Sequence, residues 1–295
     1  MEILWAISEA RTPFFDKLFS FLTQFGESTL LMVIMAAVYW CLDKNRAYRI
    51  GFGFFAASLT VNALKITLRI PRPWVRDSAF MPVEGSKAAS TGYSFPSGHT
   101  QAACSVYGSL SAGAKHKFLH IIYITLICAV SFSRLYLGVH TPADVACALA
   151  VGGLFLLATE AIFKKNPKDS LLSIGLAVFS LAGCIYGLIL YYKGVIVLDY
   201  LKDLLTVSGS GCGFALCFYL ERKYINFDER RGNTFFQLLK LAIGLGVTVL
   251  LKSSLKWLFG EFVLGNFIRY FVLLVWIMGG YPWVLRGVEG RRGNV

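Results

Sequence analysis

Two histidines, His99 and His140, stand in this 295-residue sequence beside cations whose types and spacing suit a phosphate ester. Three clusters carry the chemistry: Lys65 followed by Arg72-Pro73, then Pro96-Ser97-Gly98-His99, then Ser133-Arg134 followed by His140 and Asp144. Lys65, Arg72 and Arg134 offer a point charge and two planar guanidinium forks to non-bridging phosphate oxygens, and charge-assisted bonds of this kind are about twice as strong as neutral ones. The backbone amides of Ser97 and Gly98 can add to them. Gly98 has no side chain to block close approach, and Pro96 marks a helix start, where unpaired N–H groups favour anions. The set predicts an oxyanion cradle that stabilises the charge on equatorial oxygens during in-line phosphoryl transfer.

The histidines divide the remaining work. A neutral imidazole nitrogen can attack phosphorus, while the leaving oxygen needs a proton from the opposite side. Asp144, four residues after His140, can accept the other ring N–H, fix the tautomer and stabilise the developing imidazolium, which makes His140 the nucleophile. Thr141-Pro142-Ala143-Asp144 also reads as a helix start, with Thr as N-cap, Pro at the first helical position and an acid at the third. Both roles are open to Asp144.

In the order Lys-x6-Arg-Pro, Pro-Ser-Gly-His and Ser-Arg-x5-His-x3-Asp, these blocks resemble the signature of the type 2 phosphatidic acid phosphatase superfamily, which shares its site with vanadium haloperoxidases. The resemblance spans roughly residues 12–163. It implies His140 as nucleophile, Asp144 as its partner, His99 as acid, and Lys65, Arg72, Ser97, Gly98 and Arg134 as phosphate ligands. It further implies an all-helical core bundle with no cofactor and no catalytic metal. Residues after 165 have no part in the signature, and the extra helices there resemble glucose-6-phosphatase and sphingosine-phosphate phosphatase in number only.

The elements that must position these groups are membrane spans. Hydrophobic residues make up 56% of the chain and charged residues only 16%, against about 25% charged in soluble domains, so the surplus apolar surface must face lipid. A hydrocarbon core about 30 Å thick needs apolar windows of about 20 residues. Nine windows qualify, near 27–42, 47–68, 97–114, 118–137, 142–163, 171–192, 204–220, 236–257 and 262–285. The fold expected is an all-α, polytopic helical bundle: an interfacial amphipathic helix over 1–26, a phosphatase-like core over 27–165, and additional spans over 166–295. Charges interrupt the first 25 residues throughout, so no cleaved signal peptide is expected.

The net charge of +12 is distributed by side. Alternate connections carry Lys44, Arg46 and Arg49, then Lys115 and Lys117, then Lys164, Lys165 and Lys168, then Arg222, Lys223, Arg230 and Arg231, and the tail carries Arg286, Arg291 and Arg292. The positive-inside rule makes that side cytoplasmic, so the long 69–96 loop and the site are expected outside, in a plasma or inner membrane. Seven cysteines without a CxxC pair read as small buried hydrophobes. His116 and His120 lack partners at metal spacing, Lys252 and Lys256 read as snorkelling residues, and Gly209, Gly211 and Gly213 read as a small-residue packing face. Arg269 lies inside the last window, where it can line a cavity or pair with Glu261.

Together these features predict a membrane enzyme that hydrolyses an amphiphilic phosphate or diphosphate ester through a phosphohistidine. A motif at the ends of spanning helices sets phosphorus at the headgroup plane, which favours lipids over soluble sugar phosphates. Phosphatidic acid and isoprenoid diphosphates such as undecaprenyl diphosphate fit. Arg76 and Lys87, in the 69–96 loop, are candidates to hold a second phosphate. The competing readings are a lipid phosphotransferase, a glucose-6-phosphatase-like sugar-phosphate phosphatase, and a transporter or scaffold that uses the cationic cavity for binding only. The oligomeric state is not legible.

Overall fold

Thirteen helices, and no strand, occupy the described residues of the computed structural model, which are 1–292 without 89, 91 and 261, with backbone alone at 288–292. In chain order they are α1 (Glu2–Glu9), α2 (Pro13–Leu22), α3 (Ser28–Ala37), α4 (Lys44–Leu68), α5 (Pro73–Arg76), α6 (Gly98–Gly113), α7 (Lys117–Tyr136), α8 (Pro142–Lys164), α9 (Asp169–Tyr192), α10 (Leu198–Leu220), α11 (Thr234–Phe259), α12 (Gly265–Val275) and α13 (Tyr281–Arg292). Wider π-type turns extend α3, α10 and α12 at Val38–Leu42, Glu221–Ile225 and Trp276–Gly280.

Among the described residues, seven helices are long and apolar enough to cross a membrane, or eight if α2 and α3, bent by 48° at Glu27, form one broken span. The expected nine is therefore too many, for two reasons of length. The window at 97–114 folds as α6, whose 16 residues extend only about 24 Å at 1.5 Å each, short of a 30 Å core. The window at 27–42 yields a ten-residue α3 that reaches spanning length only with α2. Residues 1–26 form two short helices and a 3-10 turn, held to the end of α7 by the Arg11 Nε bond to the Tyr136 carbonyl, 3.0 Å, and by Phe19 against Tyr136, 4.3 Å between rings.

Burial sorts the long helices into layers. The apolar windows of α4 and α10 are 56% and 67% buried, whereas those of α7, α8 and α9 are 22% and that of α11 is 17%. An apolar helix that hides so much of its surface is a central one, and an apolar helix that exposes most of it faces lipid. Close approach around α10 needs small residues: a Cβ on Gly209 would collide with the Phe267 carbonyl of α12, and one on Gly51 of α4 with the Phe214 ring of α10. Gly209 and Gly213 thus face α12 while Gly211 faces Ser180 of α9, which makes the glycine run a two-sided packing surface.

At the end opposite the histidines, a buried carboxylate joins α4 to the turn after α10. Glu221 is fully buried and accepts hydrogen bonds from Lys44 Nζ at 3.1 Å, the Phe227 amide at 3.2 Å and the Tyr48 hydroxyl. Beside it, Arg46 and Arg49 both pair with Glu160 of α8, at 2.5 and 2.8 Å. The basic residues of that end are thus partly structural, and they fix the register of α4 against α8 and α10.

Candidate active site

Helix ends build the site. α4 stops at Arg69, which takes a left-handed φ of 50° just before Ile70-Pro71, a dipeptide that cannot continue the helix. Lys65 therefore sits in its last turn. Ser97 caps α6, accepting from the Thr100 amide, so Gly98 and His99 occupy the first helical turn, where N–H groups are unpaired. α7 ends just after Arg134, whose carbonyl accepts from the Val139 and His140 amides at 3.2 and 3.3 Å and so binds His140 to the turn. α8 begins with a capping box formed by Thr141 and Asp144. The three sequence clusters meet at one end of the bundle.

His140 and Asp144 are each 1% exposed. His140 Nδ1 lies 3.3 Å from Asp144 Oδ2, and Nε2 lies 3.0 Å from Arg72 Nη1. A guanidinium can only donate, so Nε2 must hold its lone pair free to accept, and the ring proton resides on Nδ1, where it is donated to Asp144. The tautomer is the one a nucleophilic Nε2 requires. Burial, reinforced by the Arg72 and Arg134 cations, holds the His140 imidazole well below its ordinary range, against the opposing pull of the Asp144 hydrogen bond. The ring is neutral at neutral pH.

One Asp144 oxygen serves both the cap and the histidine. Oδ2 accepts from the Thr141 amide at 2.8 Å and from the Ser94 hydroxyl at 2.5 Å, in addition to facing His140. The contacts that each of the two roles open to Asp144 would need are made by this one oxygen.

The cations converge on the same place. Arg72, 6% exposed, is oriented by bonds from Nε to the Gly92 carbonyl at 3.1 Å and from Nη1 to the Val139 carbonyl at 3.0 Å. Arg134, 3% exposed, donates to Thr23 Oγ1 at 2.7 Å and to Ser90 Oγ at 3.0 Å, while its buried Nε has no hydrogen-bond partner among the described residues. A buried guanidinium N–H without an acceptor is costly unless a ligand supplies one. A Cβ on Gly98 would stand 3.7 Å from Lys65 Nζ, so the end of the Lys65 side chain reaches the first turn of α6. The Ser97 amide is directed elsewhere, to the Asp144 carbonyl at 3.1 Å, and Ser97 contributes the cap. Of the two amides expected in the cradle, the Gly98 N–H has no such bond among the described residues.

His99 Nε2 lies 3.1 Å from Oε2 of Glu27, at the bend between α2 and α3. Each histidine thus has its own carboxylate. Glu27, Ser94, Ser90 and Thr23 are the residues that sequence reasoning missed, together with Asp203 of α10, whose carboxylate acts electrostatically on both Lys65 and Arg72. Glu27 alone left a signal, as an acid at the mouth of an apolar run. Arg76 and Lys87 are exposed and make no bond to the cradle among the described residues.

The remaining sequence candidates lie apart. His120 Nδ1 meets Ser111 Oγ at 3.0 Å, and no group of three metal-ligating side chains occurs among the described residues. Arg269, 8% exposed, donates to Asn266 Oδ1 at 2.9 Å, while its expected partner Glu261 lies outside the described residues. Lys252 lines a cavity between α3, α4, α10, α11 and α12.

Comparison with known proteins gives two family models, the PAP2 superfamily over residues 46–168 and the PAP2 superfamily phosphatase transmembrane extension over residues 205–290. Sphingosine-1-phosphate phosphatase 2 of Mus musculus is 25% identical over 236 residues, covering 76% of this chain and 61% of its own length. The human protein of the same name is matched over 37% of its length, so the chain spans between about a third and three fifths of these relatives. Phosphatidylglycerophosphatase B of Bacillus subtilis is 25% identical over 180 residues, 55% of this chain and 84% of that protein. A crystal structure of a transmembrane PAP2-type phosphatidylglycerolphosphate phosphatase from Bacillus subtilis matches 57% of the chain at 24% identity, with a TM-score of 0.48.

Proposed function

The chain belongs to the PAP2 superfamily, and we propose that it is an integral-membrane phosphatase that hydrolyses a lipid phosphate monoester through a phosphohistidine on His140. The observation that carries this reading is the orientation of His140, with Nδ1–H held by Asp144 and the Nε2 lone pair beside Arg72. A site for phosphate binding alone would need the cations but not a histidine fixed in this tautomer.

In the first step the phosphate oxygens take the donors of Arg72, Arg134, Lys65 and the Gly98 amide, and Nε2 bonds to phosphorus as the ester P–O bond breaks. Charge on the ring is balanced by Asp144. The departing alkoxide takes a proton from His99, whose cationic form has Glu27 as counter-charge. In the second step water attacks phosphorus, His99 removes its proton, and the P–N bond returns its electron pair to Nε2. Every role falls to a side chain or amide of the chain. The lipid class is supported by the placement of the site at the ends of spanning helices and by relatives named for lipid phosphates. The exposure of Arg76 and Lys87 lends no support to a second phosphate site, and a monoester is the simpler substrate.

Residues 27–165 form the catalytic unit in this reading, and 166–295 an added block of spans. The site faces away from the cytoplasm, supported by the basic loops gathered at the opposite end of the bundle. Single cysteines at Ser86 and Asn166, in a background lacking the native ones, test this: an impermeant thiol reagent labels the first in intact cells and the second only after lysis, and the reverse pattern turns the orientation over.

The deciding experiment for the function is phosphate release by purified protein, with chelator present, from lipid phosphates, lipid diphosphates, sugar phosphates and nitrophenyl phosphate. His140→Ala abolishes both turnover and acid-labile phosphoenzyme. Turnover that survives His140→Ala, or a hexose phosphate used as efficiently as any lipid, overturns the reading.

A further inference from the structure

A cavity of about 200 Å³ runs between the catalytic helices and the added block, and it begins beside the site. One end of it is lined by Ser28, an exposed residue at the entry of α3 whose hydroxyl donates to Glu27 Oε1 at 3.0 Å, and Glu27 in turn holds His99 at 3.1 Å. Two hydrogen bonds therefore separate the cavity from His99.

Three helices pass from site to cavity in the same direction. α3 has Glu27 at its entry and Leu31, Met35 and Tyr39 below it on the cavity wall. α4 carries Lys65 at the site and Phe55, Phe54 and Ala47 on the wall. α10 carries Asp203, which acts on Lys65 and Arg72, and then Val207 and Phe214 on the wall. The wall is apolar over nearly its whole surface. From Ser28 to Tyr39 the helix descends about 16 Å at 1.5 Å per residue, close to half of a hydrocarbon core about 30 Å thick. With Ala47 of α4 on its far wall, the cavity is a deep apolar cleft that runs from the α3 entry beside Glu27 toward the opposite end of the bundle.

We infer that this cavity is the slot for one alkyl chain of the substrate, seated lengthwise between the catalytic core and the added transmembrane block while the phosphate lies in the cradle. The inference rests on the phosphatase reading and adds the occupant of the α3–α4–α10–α12 cleft. An alkyl chain is the occupant that its length, its predominantly apolar surface and its approach to Glu27 select, because a polar ligand would find only scattered hydroxyls and one lysine along the wall. Of its lining residues only Lys252 of α11 is charged, on a helix that exposes most of its apolar surface. A chain in this slot would bring the added block into the substrate site, where Phe214, Val207 and Leu274 determine how long and how branched a chain can be.

Two measurements test the slot. In the first, unmodified protein is incubated with a non-hydrolysable single-chain alkyl phosphonate carrying a diazirine at the chain end, irradiated and mapped by mass spectrometry. Label on Met35, Tyr39 or Met278 is expected, and label confined to lipid-facing positions such as Leu154 and Ile174 overturns the inference. In the second, Val207→Trp and Met35→Trp fill the slot from α10 and from α3. Each is expected to lower kcat/KM at least tenfold for a long-chain alkyl phosphate while that for nitrophenyl phosphate stays within twofold, the latter also reporting that the variant has folded. An unchanged ratio of long-chain to nitrophenyl turnover in a folded variant overturns the slot while leaving the phosphatase reading intact. Wild-type protein that releases phosphate from no ester, yet is labelled in the cavity, instead overturns the phosphatase reading and keeps the chain site.

Discussion

Replacing Asp144 with Asn separates the two tasks that Oδ2 performs. As a cap, that oxygen accepts from the Thr141 amide at 2.8 Å and the Ser94 hydroxyl at 2.5 Å, and an Asn carbonyl can take both bonds without a change of size. Helix caps are worth about 1 kcal/mol, so Asp144→Asn should cost no more than roughly that in stability. The charge matters at a different moment, when Nε2 bonds to phosphorus and the ring becomes cationic 3.3 Å from Oδ2. At an effective dielectric of about 20, two unit charges at that separation attract by roughly 5 kcal/mol, which bounds the effect from above. Exchanging a charge-assisted for a neutral hydrogen bond loses about 1 kcal/mol, which bounds it from below. With a tenfold rate change for each 1.36 kcal/mol, kcat should fall by about 10²- to 10³-fold, inside those bounds. The assay is turnover of nitrophenyl phosphate with quench-flow measurement of the phosphoenzyme, and a melting temperature in the same detergent. A variant within threefold of wild type would remove the electrostatic role of Asp144. A variant whose activity is lost only in proportion to its folded fraction would reduce the residue to a cap.

His99→Ala should lose far less on nitrophenyl phosphate than on an alkyl phosphate, because a good leaving group needs little protonation, and Glu27→Gln should show the same pattern weakly; equal losses on both esters would take the acid role from His99. Since only neutral His140 can attack, and its burial holds it below the ordinary imidazole value of about 6.5, the acid limb of kcat/KM for the free enzyme should lie below pH 6.5. That limb should move lower still in Asp144→Asn, which removes the negative charge that opposes the shift; a pH–rate profile that moves upward would contradict the assigned tautomer. Glu221→Ala leaves Lys44 and the Tyr48 hydroxyl without their buried acceptor and should destabilise the protein by about 3 kcal/mol, read from detergent melting curves, against less than 1 kcal/mol if the pair is ornamental.

The site was legible where its residues lie close together in sequence at helix ends. His99 follows a cap and a helix start, Asp144 is one turn from His140, and Arg134 is bound to His140 through the turn between α7 and α8, so local spacing carries the chemistry. Residues that act across the fold left little trace. Thr23 and Ser90 orient Arg134 from separations of 111 and 44 residues, and Ser94 reaches Asp144 across 50, as single hydroxyls in segments without a pattern. The span count erred for a related reason. Apolar content reports that a helix avoids water, not whether its neighbour is lipid or protein, and α6 is apolar because Ala103, Val106 and Tyr107 lie in the core. Its 16 residues settle the matter only once their ends are known.

On the proposed reading, the added transmembrane block is part of the frame that holds α4 rather than an appendage. Lys65 is placed by α4, and α4 is held between α6 and α8 on one flank and α10 on another, with Phe214 occupying the space that a Cβ on Gly51 would need. Movement of α10 would therefore shift α4 along its length. At one end the Lys44–Glu221 pair pins the two helices, 3.1 Å apart and with the carboxylate fully buried. At the other, Asp203 balances the positive field of Lys65 and Arg72. Lys65 needs this frame because a lysine is a flexible point charge, unlike the two arginines, whose forks are fixed by carbonyls and hydroxyls. On the proposed mechanism α4 has to present this charge to a phosphate, and the buried network at Glu221 anchors its other end about 30 Å away, by the 1.5 Å rise of the 21 residues from Lys44 to Lys65.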